Sequence, residues 1–254
     1  MVRLGQNFLA DPNLLAAIVR SAELGPGDVV LEVGGGEGVL TERVAELVQR
    51  VWVVELDRGL EERLGAVAAD AGNVEVVWGD AMKVDLAGLE PAPDRVVANL
   101  PYSIATPLIL RTITELPTVS SWTVMVQREI ADRLGASPGS RAYGGPSVQV
   151  QLACSVKLLR AVDPAVFTPR PRVDSALLRL ERTGPAATPE VAALVRGAFA
   201  HRRKTLAASA ALAGVAGRDA VRGALEAEGL DPAARAEALA PGDFIRLADR
   251  LDSP

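Results

Sequence analysis

The chain passes from the β-branched run Val29-Val30-Leu31-Glu32-Val33 directly into the glycine-rich turn Gly34-Gly35-Gly36-Glu37-Gly38. A helical pattern begins immediately afterwards at Val39. Glycines between a strand and a helix allow a ligand to lie against the backbone at the carboxyl end of the strand. The turn does not fit the dinucleotide fingerprint G-x-G-x-x-G, because Val39 or Thr41 stands where the third glycine is needed. The stretch therefore predicts a ligand site in an α/β fold, but not a site for NAD.

Short apolar runs before and after this turn alternate with helical patterns. Strands are predicted at residues 29–33, 51–55, 74–78, 95–99 and 122–127, with helices at 40–50, 60–69 and 128–134. Such alternation is typical of a mainly parallel sheet. Two further strands, at 148–159 and 173–181, are joined by a loop too short for a crossover helix, so they should pair antiparallel. The expected fold is α/β, with a seven-stranded mainly parallel sheet that ends in an antiparallel hairpin.

Acidic side chains stand at three successive predicted strand ends. Glu32 lies two residues before the first glycine, Glu55 ends the second strand and Asp80 follows the third. At this edge of a parallel sheet, Glu55 could accept both ribose hydroxyls of a nucleoside, and Asp80 could accept from its adenine amino group. The pattern E-x-G-x-G-x-G resembles the first motif of class I methyltransferases, which implies a Rossmann-like fold and S-adenosyl-L-methionine as the cofactor. Gly34, Gly36, Glu55 and Asp80 are therefore predicted cofactor contacts.

The fourth predicted strand ends in Asn99-Leu100-Pro101-Tyr102, which resembles the (N/D)-P-P-Y tetrapeptide of amino-group methyltransferases. An aromatic amine is a poor nucleophile while its lone pair is delocalised into the ring, so acceptors must draw on its hydrogens. The Asn99 side-chain oxygen and the Leu100 carbonyl can each accept one N–H. Pro101 stiffens the turn, and Tyr102 offers a face on which a flipped base can stack. These four residues are the predicted catalytic group, and Asn99 is also expected to contact the cofactor.

A change in composition after residue 183 predicts a domain boundary. Residues 182–189 are rich in Gly, Pro and Thr, and the alanine-rich sequence from Glu190 onward has a helical pattern. We expect a methyltransferase catalytic domain over residues 1–183 and a small all-α domain over residues 184–254.

Motifs along nearly the whole chain resemble those of the ribosomal RNA adenine dimethyltransferase family, which includes KsgA-type small-subunit enzymes and Erm-type resistance enzymes. The matching stretches are Gly5-Gln6-Asn7-Phe8-Leu9, residues 54–58, 127–134 and 142–144, Phe167-Thr168-Pro169-Arg170-Pro171-Arg172-Val173-Asp174-Ser175, and His201-Arg202-Arg203-Lys204-Thr205. The resemblance implies that Asn7 and Leu9 contact the cofactor and that Phe167 is a second aromatic beside the target base. Gly35 departs from the pattern, since the family commonly has proline or alanine there, and this change is expected to loosen the turn.

Charge is unevenly distributed along the chain. Residues 1–100 hold 8 Lys and Arg against 17 Asp and Glu, whereas residues 101–204 hold 14 against 7, although the whole chain has a net charge of −5. The second stretch could therefore face phosphates. The family resemblance implies phosphate contacts by Arg170 and Arg172, and by Arg202, Arg203 and Lys204 on a basic helix of the small domain.

The resemblance implies methylation of the N6 amine of adenines in 16S rRNA, with two adjacent adenosines near the 3′ end dimethylated during ribosome biogenesis. The expected partner is the small ribosomal subunit, and the expected protein is a monomer. Three alternatives stay open: an Erm-type enzyme acting on 23S rRNA, an assembly factor for which methylation is secondary, and a methyltransferase for protein glutamine. The positive second stretch and the Phe167 loop disfavour the last.

Composition excludes several other classes of site. Cys154 is the sole cysteine and His201 the sole histidine, so disulfides, cysteine-rich zinc sites and triads with separate histidines are excluded, and no metal is expected. Cys154 is predicted to be a buried strand residue. No apolar run approaches the roughly 18 residues that a membrane span needs, and residues 1–6 do not resemble a signal peptide. We therefore expect a cytoplasmic protein.

Overall fold

The computed structural model describes residues 8–9 and 11–252, which form two compact units. The first unit contains the described residues up to Ala131 and residues Val156–Arg182; the second contains Asp132–Ser155 and the described residues from Thr183 onward. The predicted division at residue 183 assigned residues 132–155 to the catalytic domain. They belong instead to the helical unit, because Tyr143 and Val148 are fully buried in its core.

The first unit is built on a seven-stranded sheet in the order β4-β3-β2-β5-β6-β9-β7. The strands of the chain are β1 (Phe8–Leu9), β2 (Val29–Val33), β3 (Arg50–Glu55), β4 (Val74–Trp78), β5 (Arg95–Asn99), β6 (Ser121–Gln127), β7 (Cys154–Val162), β8 (Phe167–Thr168) and β9 (Ser175–Arg182). Strands β4, β3, β2, β5 and β6 are parallel, β9 runs antiparallel to β6, and β1 forms a separate antiparallel pair with β8. The expected α/β fold with a mainly parallel sheet is confirmed.

Strand β2 is buried along its whole length, as a central parallel strand must be when helices cover both sheet faces. The helices that begin in this unit are α1 (Pro12–Ala22), α2 (Val39–Ala45), α3 (Glu61–Ala71), α4 (Ala105–Glu115) and α5 (Arg128–Leu134). Helix α1 begins where the Asp11 carboxylate accepts from the backbone N–H groups of Asn13 and Leu14. Helix α2 ends at Ala45, earlier than the sequence predicts, so that β3 already begins at Arg50.

In the described part of the second unit, five α-helices lie wholly within it: α6 (Gly145–Ala153), α7 (Pro189–Phe199), α8 (Leu206–Leu212), α9 (Arg218–Ala227) and α10 (Pro241–Asp252). Tyr143 and Phe244 are buried and both contact the Phe199 ring, with ring centroids 6.1 Å and 6.0 Å from it. The Tyr143 hydroxyl donates to the Leu239 carbonyl at 3.0 Å. Burial, with the nearby Asp243 carboxylate, raises the pKa of Tyr143 to about 12.

Two predictions of secondary structure were wrong. The strand expected at 148–159 is helix α6 followed by β7, and Cys154 is a buried residue at the start of that strand. The alternation of valine and glutamine suggested a strand. Instead, the Ser147 hydroxyl accepts from the Gly144 N–H at 3.0 Å at the helix start, and the Gln151 amide donates to two backbone carbonyls. The basic helix expected at 201–205 is a turn between α7 and α8. No helix among the described residues is long and apolar enough to cross a membrane.

Candidate active site

A cavity of about 530 Å³ lies at the carboxyl ends of β2, β3, β4 and β5, within the first unit. Its walls include nine of the predicted site residues: Leu9, Gly34, Gly36, Glu55, Asp80, Asn99, Leu100, Pro101 and Tyr102. Parallel strands bring their carboxyl ends to one edge of a sheet, which is why motifs far apart in the sequence meet here.

The glycine turn forms one wall of the cavity and uses backbone conformations that favour glycine. Gly34, Gly36 and Gly38 have φ angles of +81°, +57° and +85°. Gly35 is needed for a different reason: a Cβ built on it would lie 2.5 Å from Cγ1 of Val53. The expected loosening at Gly35 is therefore wrong, because this glycine lets the turn pack closely against β3.

Glu55 joins the second strand end to the glycine turn. It is only 5% exposed, and its two carboxylate oxygens accept from the N–H of Gly36 at 3.0 Å and from the N–H of Asp57 at 2.8 Å. Each carboxylate oxygen has a second lone pair, so Glu55 can accept further hydrogen bonds from a ligand in the cavity.

Glu32 lies beneath the same turn and is 1% exposed. The Thr41 hydroxyl donates to its carboxyl group at 2.7 Å. Burial raises the pKa of Glu32 to about 8; the Thr41 hydrogen bond opposes this shift and the charge of Glu55 adds to it. Glu32 is therefore mostly protonated at pH 7.

The tetrapeptide at the end of β5 lies against the glycine turn. A Cβ built on Gly34 would be 3.5 Å from the Pro101 ring. The Leu100 N–H donates to the Met125 carbonyl on β6 at 3.0 Å, and the Ile104 N–H donates to the Pro101 carbonyl at 3.1 Å. These bonds fix the backbone within the tetrapeptide and just after it.

The ring of Tyr102 is held from its hydroxyl end. The hydroxyl lies 2.7 Å from Oγ of Ser175, which is fully buried at the start of β9. Burial raises the pKa of Tyr102, while the Ser175 hydrogen bond works in the opposite direction. Ser175 belongs to a stretch that matches a family motif, but the sequence did not predict its contact with Tyr102.

The structure places the predicted site residues Leu9 and Phe167 differently with respect to the cavity. The predicted cofactor contact Asn7 lies outside the described residues. Leu9 lines the cavity and pairs with Phe167 across β1 and β8. Phe167 is 3% exposed, belongs to the apolar core and is not among the residues that line the cavity.

The predicted RNA contacts are exposed side chains. Arg170 and Arg172 lie between β8 and β9, and Arg170 is 3.7 Å from the carboxylate of Asp163. In the second unit, Arg202, Arg203 and Lys204 are exposed in the turn before α8, and the Arg202 guanidinium donates to the carbonyls of Arg141 and Tyr143 at 3.2 Å and 3.4 Å. Within residues 8–9 and 11–252, no group of three or more His, Cys, Asp or Glu side chains could hold a metal ion.

Comparison with known proteins assigns the family. The model of the family described as "Ribosomal RNA adenine dimethylase" matches residues 2–253. A relative from Kineococcus radiotolerans, named ribosomal RNA small subunit methyltransferase A, is 48% identical over 96% of this chain and 84% of its own length. The crystal structure of a dimethyladenosine transferase from Plasmodium falciparum superposes with a TM-score of 0.81, at 28% identity, covering 94% of this chain and 95% of that one. The crystal structure of the 23S rRNA methyltransferase ErmE gives a TM-score of 0.69 at 30% identity, covering 97% of this chain and all of that one. The chain belongs to the ribosomal RNA adenine dimethylase family.

Proposed function

We propose that the protein transfers methyl groups from S-adenosylmethionine to the N6 amine of adenines in 16S rRNA, dimethylating two adjacent adenosines near the 3′ end during ribosome biogenesis. The observation that carries the proposal is that Asn99-Leu100-Pro101-Tyr102 lies in the wall of the same cavity as Glu55, Asp80 and the glycine turn. The small-subunit name of the Kineococcus radiotolerans relative supports the choice of 16S rRNA.

The residues present fit S-adenosylmethionine. The cavity of about 530 Å³ is in the usual range for small-molecule sites. The cofactor supplies a methyl group already activated on a sulfonium. Glu55 would accept from the ribose hydroxyls and Asp80 from the adenine amino group, while Gly34 and Gly36 leave room for close approach to the backbone. Leu9 and Asn7 are proposed as further cofactor contacts.

The tetrapeptide would hold the target amine. The Asn99 side-chain oxygen and the Leu100 carbonyl accept its two hydrogens, which favours a nitrogen lone pair directed at the methyl group. The Tyr102 ring stacks on the flipped base, and Ser175 keeps that ring in place through the hydroxyl. The role proposed for Phe167 as a second aromatic beside the base requires its buried ring to become accessible when RNA binds.

RNA would be held through phosphates. Arg170 and Arg172 are proposed contacts of the catalytic unit, and Arg202, Arg203 and Lys204 of the helical unit, which acts as an RNA-binding domain. The exposure of all five side chains supports this role. We propose that the protein acts on the small subunit as a monomer in the cytoplasm.

The test is transfer of labelled methyl from S-adenosylmethionine to under-methylated small and large subunits in parallel, followed by nucleoside analysis. Dimethyladenosine in the small subunit alone is the expected result. Label in 23S rRNA would overturn the choice of substrate in favour of the Erm-type alternative. The similarity to the ErmE structure is the reason to test that alternative. If Asn99→Ala abolishes the label yet complements a strain lacking the enzyme, the protein is chiefly an assembly factor.

A further inference from the structure

Arg111 occupies a position that the sequence did not single out. It lies on α4, the helix that follows the catalytic tetrapeptide, and its side chain is only 14% exposed. Its Nη1 donates to the Ala81 carbonyl at 2.5 Å, its Nη2 donates to the Val84 carbonyl at 2.7 Å, and its Nε donates to the Glu115 carboxylate at 2.9 Å. A mostly buried guanidinium is thus used to bind two backbone carbonyls of one loop.

That loop begins at Asp80 and is a single tight turn. The Asp80 carbonyl accepts from the N–H groups of Lys83 and Val84 at 2.7 Å and 2.9 Å, and its Oδ1 accepts from the Met82 N–H at 2.9 Å. The direction of the Asp80 carboxylate therefore depends on the conformation of residues 81–84. The carbonyls at both ends of this segment, those of Ala81 and Val84, are the two that Arg111 binds.

We propose that Arg111 is a positioning residue, which sets the Asp80 carboxylate for the adenine of the cofactor and ties that end of the cavity to the helix behind the catalytic tetrapeptide. The proposal rests on the proposed function, because it takes S-adenosylmethionine as the ligand. The planar guanidinium presents several N–H donors in a fixed fork, so it can hold two carbonyls at once. A side chain without this fork leaves both carbonyls without their donor, and the turn that carries Asp80 relaxes.

Arg182 provides a matched control. It also binds backbone carbonyls, those of Val119, Ile113 and Leu116, and its guanidinium lies 5.1 Å from the centroid of the Trp122 ring. Ile113 belongs to α4 and Leu116 follows its last residue, so Arg182 stabilises the same helix, but none of these residues lines the cavity. Arg111 and Arg182 variants should therefore both lose stability, but only the Arg111 variant should misplace Asp80.

The experiment measures dissociation constants by calorimetry for S-adenosylhomocysteine and for its 6-oxo counterpart, S-inosylhomocysteine. A carboxylate accepts from the amino group of adenine but is repelled by the oxygen of hypoxanthine, so the wild type should prefer the adenine ligand. Asp80→Asn sets the scale by removing that preference. We expect Arg111→Met to lower the adenine preference on the order of tenfold, and the double variant to lose no more than Asp80→Asn alone. Arg182→Met should keep the wild-type ratio.

Several results would overturn the inference. Arg111→Met with the wild-type ratio, or Arg182→Met with an equal loss, would show that Arg111 acts only through stability. Wild type that binds neither ligand would overturn the proposed function itself, whereas binding with an unaltered ratio in Asp80→Asn would overturn only the role given to Asp80 and Arg111. If Arg111→Met does not fold, Arg111→Lys takes its place: it keeps the charge but lacks the planar fork of donors, and should also lower the ratio.

Discussion

The cavity at the strand ends and the basic turn at residues 201–204 differ in how their side chains are held. Glu55 is buried and accepts from two backbone N–H groups, and Glu32 is buried against Thr41. Arg203 and Lys204 are exposed. A group held in fixed geometry contributes through its exact position, whereas an exposed cation contributes mainly through its charge. Substitutions in the cavity should therefore cause large losses of methyl-transfer rate or stability. Substitutions in the basic turn should cause small losses of RNA affinity.

The largest effect is expected for Asn99→Ala. In the proposed mechanism this change removes one acceptor for the target amine, so it should lower the rate of methyl transfer about 10²- to 10³-fold, as loss of one preorganised oxyanion-hole donor does in other enzymes. The measurement is single-turnover transfer of labelled methyl to small subunits. Asn13→Ala, an exposed change on α1, is the control and should transfer at the wild-type rate. A loss of less than about tenfold for Asn99→Ala would contradict the role given to the tetrapeptide.

The next effect concerns the buried carboxyl of Glu32 and the pH dependence of stability. Its pKa is raised from 4.5 to about 8 in the folded chain, so the folded state holds a proton that the unfolded state has released. The stability associated with this group is complete below pH 4.5 and is lost as the pH rises through about 8. Between pH 5 and 8 the free energy of unfolding should fall by about 3 kcal/mol because of this group. Glu32→Gln should remove that part of the pH dependence. Urea unfolding of both proteins at the two pH values measures it, and parallel pH curves would show that Glu32 is not protonated in the folded state.

The same contrast explains what could be predicted from the sequence. Strands β2, β4 and β5 have the predicted bounds. β2 and β5 are central parallel strands with buried apolar runs, whereas the edge strand β4 is only partly buried and was recognised from its β-branched residues and the glycine that follows its end. The acids and the tetrapeptide stand at those ends, so a correct strand pattern was enough to place them in one cavity. Helix α6 was missed because its alternating pattern is local, whereas its burial depends on partners far along the chain.

Arg111 and Ser175 show why the rest could not be predicted. Arg111 donates to backbone carbonyls, which any residue type could supply. The Ser175 hydroxyl is hydrogen-bonded to Tyr102, which lies 73 positions away in the sequence. No spacing rule encodes such contacts. Phe167 shows a different difficulty. Its family motif was recognisable in the sequence, but the motif does not indicate that the ring is packed in the core.

Two glycines of the first unit give a smaller and more local test. Gly35→Ala places a methyl group 2.5 Å from Val53, so it should lower the free energy of unfolding by about 1–3 kcal/mol and weaken cofactor binding. Gly65→Ala is the control, because Gly65 is exposed within α3 and a Cβ there meets nothing within 4 Å. It should raise the free energy of unfolding by up to about 1 kcal/mol through helix propensity. Equal values for the two variants in denaturant unfolding would mean that the glycine turn does not pack as tightly as the Gly35 contact implies.

The smallest effects are expected in the basic turn. Arg203→Ala and Lys204→Ala should each weaken RNA binding several-fold and lower the slope of log K against log salt by about 0.7–0.9, the value of one phosphate contact, while the rate at saturating RNA stays unchanged. Arg202→Ala should also reduce stability, because the Arg202 guanidinium donates to the carbonyls of Arg141 and Tyr143.

Arg222→Ala removes an exposed cation of the same unit from helix α9 and serves as the control, with the wild-type slope. Filter binding over a salt series measures all four variants. If Arg203→Ala and Lys204→Ala keep the wild-type slope, the charge of this turn does not serve RNA, and the positive stretch from residue 101 to 204 must bind it elsewhere, with Arg170 and Arg172 as the next pair to substitute.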